Sequence, residues 1–72
     1  MITLRIQPTF VKYATRSEVQ RFNRLSDKIQ SRAWDLGATD AFVQKVCCGK
    51  QGFRYSRVQF RANGSYVGNM AI

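Results

Sequence analysis

Two groups of residues in this sequence have the types and spacing to do chemistry, and in both the chemistry is recognition of negative charge. Arg21, Arg24, Lys28 and Arg32 recur at steps of three, four and four residues. On a helix that spacing lines them up in one stripe, roughly 16 Å long at about 1.5 Å of rise per residue. Phe53, Tyr55, Arg57, Gln59 and Arg61 alternate along a second segment, and a strand would hold all five on one face. A two-residue turn at Asn63-Gly64 sets Tyr66 opposite Arg61 on that same face. Lys50 lies in the glycine-flanked turn just before this strand. Arginines neutralise phosphates and aromatic rings give bases something to stack on, which is how sheet-based nucleic-acid binders work.

Each group also has a plainer reading. A charge row is usually the solvated flank of a helix, and aromatics with Arg are common on a half-exposed sheet. Four like charges on one flank nevertheless repel, by a few tenths of a kcal/mol per i,i+4 pair. Asp27 and Asp35 lie to the side of the row and only partly relieve it.

The balance of charge narrows the partner. The 72 residues carry 12 Lys and Arg against 4 Asp and Glu, a formal charge of +8. The pI is near 10.4, above the ~9 that marks a nucleic-acid binder. After Asp40 come Lys45, Lys50, Arg54, Arg57 and Arg61, with no acidic residue. Self-repulsion on this scale destabilises a small compact state. A polyanion (DNA or RNA) or an acidic surface of a protein or nucleoprotein would offset it.

Catalytic equipment is sparse. The sequence has no His, the commonest general base near neutral pH. It has no glycine-rich phosphate loop and no serine-nucleophile motif. Cys47 and Cys48 are adjacent, and without His two neighbouring thiols cannot complete a four-ligand zinc site. One is expected to point into the core as a small hydrophobe while the other faces out. Glu18 fits a capping box with Thr15, and the spacing suggests no carboxylate pair among the remaining acids. These features predict a protein that is not an enzyme and holds no metal or cofactor. No apolar run approaches the ~20 residues of a membrane span, and the N-terminal residues lack the apolar core of a signal peptide. A cytoplasmic protein without membrane contact is expected.

The elements that must position these residues follow from periodicity. Ile2, Leu4 and Ile6 alternate with Thr3, Arg5 and Gln7 as in a strand, which Pro8 ends or bends. Phe10, Val11 and Tyr13 continue the strand or pack as a connector. Thr15 caps a helix running to about Leu36, with Gly37 as its stop. Val19, Phe22, Leu25, Ile29, Ala33 and Leu36 form its core stripe. Trp34 lies well off that stripe; it either packs beneath the segment around Phe10 and Tyr13, the expected role, or marks a contact surface. Ala41–Cys48, Phe53–Ala62 and Ser65–Ile72 read as three strands, with Asn63-Gly64 a type I′ hairpin turn and Phe60 opposite Val67. Val58, Phe60 and Ala62 then face the helix. A bulge near Ser56 and Arg57 would swap the faces at one end. The fold class is a single small α+β domain over residues 1–72 in β-α-β-β-β order. One amphipathic helix packs on an antiparallel sheet with a C-terminal meander, and the N-terminal strand can join at an edge.

Gly52-Phe53-Arg54-Tyr55, after Lys50-Gln51, shares residue types with the start of the RNA-recognition-motif signature. Ser56 breaks the match, and the chain is too short for that fold's second helix, so the likeness is compositional. The chain is also loosely similar to small basic ribosome-dependent mRNA-cleaving toxins, which place helices before an antiparallel sheet and can work with Arg, Lys and Tyr. That resemblance would put Arg54, Tyr55, Arg57, Arg61 and Tyr66 at a cleavage site. It is loose because the toxins usually have two helices and a longer chain.

The leading expectation is direct, weakly sequence-specific nucleic-acid binding through the helix stripe, the aromatic and arginine sheet face, or both. The alternative is an inhibitor or adaptor of the kind phage and mobile elements carry, directed at an acidic patch on a host protein or nucleoprotein such as a CRISPR surveillance complex. A monomer or an edge-strand homodimer is expected, with Ser65–Ile72 as the unpaired edge.

Overall fold

The computed structural model describes residues 2–47 and 52–72, with the side chains of Cys47, Phe53 and Arg54 left aside. The expected turn over residues 49–51, Lys50 and the environment of Cys48 lie outside the described residues. The elements run β1 (Thr3–Ile6), α1 (Pro8–Tyr13), α2 (Arg16–Arg24), α3 (Ser26–Leu36), β2 (Asp40–Cys47), β3 (Phe53–Ala62) and β4 (Ser65–Ala71). The four strands form one sheet in the order β1-β2-β3-β4. The result is a small α+β fold with helices on one face of a mixed sheet.

Several local expectations hold for the reasons given. Thr15 Oγ1 accepts from the Glu18 amide at 3.1 Å, and Glu18 Oε1 accepts from the Thr15 amide at 2.9 Å. Both halves of the capping box are therefore present. Gly37 is left-handed at φ 66°. Its amide donates to Trp34 O, and the Ala38 amide donates to Ala33 O, which closes α3 as a Schellman motif. Asn63 and Gly64 have φ of 52° and 87°, the positive pair a type I′ turn requires. Ile29, Ala33, Ala41, Val43, Val58 and Phe60 form the core with Phe10.

Five expectations need correction, the first being Val19, which is expected on the core stripe but is 40 % exposed. The helix layer is three helices rather than one. Pro8 opens α1 at a position where its missing N–H costs nothing, so Phe10, Val11 and Tyr13 are helical and Phe10 is buried. The long helix breaks at Leu25 (φ −91°, ψ 3°). There the Leu25 amide is shared between the Arg21 and Phe22 carbonyls, at 3.0 and 3.1 Å. The sheet is mixed rather than antiparallel, because β1 sits at the edge parallel to β2. A helical crossover joining neighbouring strands permits that direction. Phe60 pairs with Gly68 rather than Val67, through a bulge between Phe60 and Arg61. The extra residue in β4 puts a glycine under α3, where a Cβ would lie 2.8 Å from Leu36 Cδ1. Trp34, finally, is 84 % exposed and does not pack beneath Phe10 and Tyr13. Phe22 takes that position instead, edge-on to Phe10 with ring centroids 5.5 Å apart.

A buried polar cluster ties the two layers together. Glu18, Lys45 and Ser56 are all buried. Lys45 Nζ donates to Glu18 Oε1, and Ser56 Oγ donates to Glu18 Oε2 at 2.7 Å. The Lys45 amide donates to Thr9 Oγ1 at 3.3 Å, bringing in α1. One carboxylate thus holds the start of α2, the middle of β2 and the middle of β3. Burial alone pushes this carboxyl up. The hydrogen bonds from Lys45, Thr15 and Ser56 and the Lys45 charge outweigh that push and lower it from 4.5 to about 2.

Removing one partner of a buried pair strands the other, at a cost of about 3–5 kcal/mol. Glu18→Gln is expected to destabilise the fold by that amount in urea unfolding at neutral pH. Because the folded carboxyl titrates below its unfolded value, the stabilisation is complete above about 4.5 and disappears as pH falls through about 2. The difference between wild type and Glu18→Gln should shrink over that window. A constant difference from neutral pH down to about 2 would contradict the assignment.

Candidate nucleic-acid interface

The helices cover the sheet face that carries Ala41, Val43, Lys45, Ser56, Val58 and Phe60. Strand alternation sends their neighbours to the other face. No register shift falls at Ser56 or Arg57; β2 and β3 pair continuously from Asp40↔Arg61 to Val46↔Tyr55. Tyr55, Arg57, Gln59 and Arg61 therefore share the open face. Tyr66 pairs directly with Arg61 and joins them. Phe53 pairs with Cys47 across a register shift that follows the Val46↔Tyr55 pair, so the parity that places it beside Tyr55 does not carry to it, and its side chain is among those left aside.

The neighbouring strands complete this face with residues that reading β3 and β4 alone does not reveal. Arg5 pairs with Phe42 across β1 and β2, and Phe42 pairs with Gln59. The Phe42 ring lies between two guanidiniums, with Arg5 Cζ 6.0 Å and Arg61 Cζ 5.2 Å from its centroid. Arg61 Nε and Nη2 donate to Gln59 Oε1 at 3.2 and 3.1 Å. Arg5 Nε donates to Asp40 Oδ1 at 3.3 Å. The Gln44 side-chain oxygen, in the amide orientation its neighbours require, accepts from Arg57 Nε and Nη2 at 2.9 and 3.1 Å. Asn69 Nδ2 donates to the Tyr66 hydroxyl at 2.5 Å. The face is thus three arginines fixed by a ring and two amides, with Tyr55 and Tyr66 exposed beside them. Only one carboxylate, Asp40, takes part, and it is paired to Arg5. The alternation of Phe42, Gln44 and Val46 within β2, and of Arg5 within β1, carried this signal. Finding it required knowing which strands are neighbours.

The helix stripe is arranged differently. Arg21 and Arg24 lie on α2, and Lys28 and Arg32 on α3, all exposed. Among the described residues the ion pairs are Arg5–Asp40 and Glu18–Lys45, so none involves the stripe. Lys28 and Arg32 line a groove of about 480 Å³ with Ser31, Asp35, Asn69 and Met70. That groove connects the stripe to the β4 edge, where Asn69 reaches Tyr66. Of the twelve basic residues, Lys45 is withdrawn from the surface by Glu18.

Among the described residues, no group of three or more His, Cys, Asp or Glu comes together as a metal site. No helix is long and apolar enough to cross a membrane. No protein-family model, curated protein or solved structure matches the chain.

Phe42 is the part of this face open to a direct test. Each cation–π contact at a partly exposed site contributes about 0.5–1 kcal/mol. Phe42→Leu should therefore lower stability by about 1–2 kcal/mol and leave the far-UV spectrum unchanged. Side-chain ¹⁵N relaxation of Arg5 and Arg61 should show faster motion, while Arg57, held by Gln44, stays as it was.

Proposed function

We propose that this chain binds nucleic acid directly, with little sequence preference, through the open sheet face, and that the α2–α3 stripe adds phosphate contacts around the β4 edge. The observation that carries this reading is the set of three guanidiniums in contact with Phe42, Gln59 and Gln44 beside two exposed tyrosines. Fixed guanidiniums meet phosphate with little left to order, and every base has a π-face that a tyrosine ring can stack on. Single strands suit the face best. Three inter-strand spacings at about 4.8 Å make the sheet roughly 14 Å wide before side chains, more than a major groove of about 12 Å admits.

The test is a titration of reduced protein against labelled single-stranded DNA, single-stranded RNA and duplex DNA at about 50 and 200 mM salt. Binding should weaken steeply with salt, by roughly 10³ over that range for six or more phosphate contacts. Arg57→Ala with Arg61→Ala should lower affinity and flatten the salt slope by about 0.7 per lost contact on single strands. The combined Arg21, Arg24, Lys28 and Arg32→Ala variant should flatten it further. Affinity no tighter than about 10⁻⁴ M for all three probes would overturn the reading. An acidic protein or nucleoprotein surface would then be the partner to seek.

A further inference from the structure

The exposed apolar surface at the β1 edge has no place in the reading above. The amides of Thr3 and Gln7 donate to Thr39 O and Val43 O, so the odd residues of β1 turn their main chain toward β2. By alternation, the N–H and C=O groups of Leu4 and Ile6 point outward, away from the sheet. Their side chains are on the helix side of β1, opposite Ala41 and Val43, yet they are 40 % and 48 % exposed. At the Ile2 end of this edge lies a hollow of about 430 Å³ lined by Ile2, Gln30, Ala33, Trp34 and Ala38. Trp34, 84 % exposed, forms its wall.

We propose that β1 is a dimerisation edge, and that two copies pair antiparallel through Ile2-Thr3-Leu4-Arg5-Ile6 with Leu4 opposite Leu4 of the second copy. This segment is self-complementary about Leu4. A two-fold axis there sets Ile2 against Ile6, Leu4 against Leu4 and Thr3 against Arg5. The apolar residues meet on one face, and no like charges meet directly on the other. The outward main-chain groups of the even residues are the ones such a ladder uses. The register also brings Ile6 of the second copy beside Ile2, at the hollow walled by Trp34. β4, the other edge, is less suited. Its bulge between Phe60 and Arg61 interrupts the ladder, and pairing there would bring the Lys28 and Arg32 grooves of two copies together. Pairing through β1 would join two open faces into one eight-stranded surface.

The measurement is sedimentation combined with the emission of Trp34, the single tryptophan, over a concentration series. Wild-type protein should move from 8.3 kDa to twice that mass, with emission shifting to shorter wavelength in step as Trp34 is covered. Each copy carries +8, so added salt should strengthen the dimer by screening. Nucleic-acid binding responds to salt in the opposite direction, so the two effects can be told apart. Leu4→Lys, at an exposed edge, should remain 8.3 kDa with unshifted emission and a native far-UV spectrum. Trp34→Ser, at a position free of core contacts, should weaken association in sedimentation and serves if Leu4→Lys does not fold. Wild type at 8.3 kDa at all concentrations and salt levels would overturn the proposal. A dimer that survives both substitutions would overturn it too, and would point to β4.

Discussion

The structure depends on a carboxylate that has been taken out of water. A buried charge is tolerated only when it is paired and hydrogen-bonded, and Glu18 meets that demand with groups from three elements: Thr15 at the start of α2, Lys45 in β2 and Ser56 in β3. Satisfying it fixes where α2 begins relative to the sheet. That in turn decides which face is covered, because Lys45 and Ser56 must point toward the helices and their neighbours Gln44 and Arg57 away from them. The open face with its arginines is the other side of this constraint. The pair also removes one positive charge from the surface, so the basic character of the molecule rests on residues whose positions are set by other contacts.

Much of this was legible in one dimension, and the boundary is physical. Parity along β3 separates Arg57, Gln59 and Arg61 from Val58 and Phe60, since period two is a local property of a strand. The caps at Thr15 and Gly37 and the turn at Asn63-Gly64 are local for the same reason. Contacts set by distant residues were not legible. Phe42 reads as one apolar residue in an apolar strand until Arg5 and Arg61 arrive on either side of it. Glu18 reads as a helix cap, and its reach to Lys45 and Ser56 spans 27 and 38 residues. The bulge that sets Gly68 against Phe60 answers to Leu36, on a different layer. Trp34 is the reverse case. Helical spacing puts it off the core stripe, and it is exposed there; the expectation that it packs under Phe10 and Tyr13 comes from the size of the ring.

The two basic surfaces differ in what they give up on binding. On the open face, Arg5, Arg57 and Arg61 are already held by Phe42, Asp40, Gln44 and Gln59. Much of their rotamer freedom is spent in folding, so contact with a ligand orders little more. On the helix flank, Arg21, Arg24, Lys28 and Arg32 are exposed, and none takes part in the ion pairs among the described residues. Mobile cations act well at a distance, where they raise the encounter rate with a polyanion, and poorly as fixed contacts. The two surfaces thus differ in how much ordering a contact would still cost. The groove shared by Lys28, Arg32 and Asn69 joins the two. Asp35 lines that groove as well, so the junction between the two basic surfaces is of mixed charge.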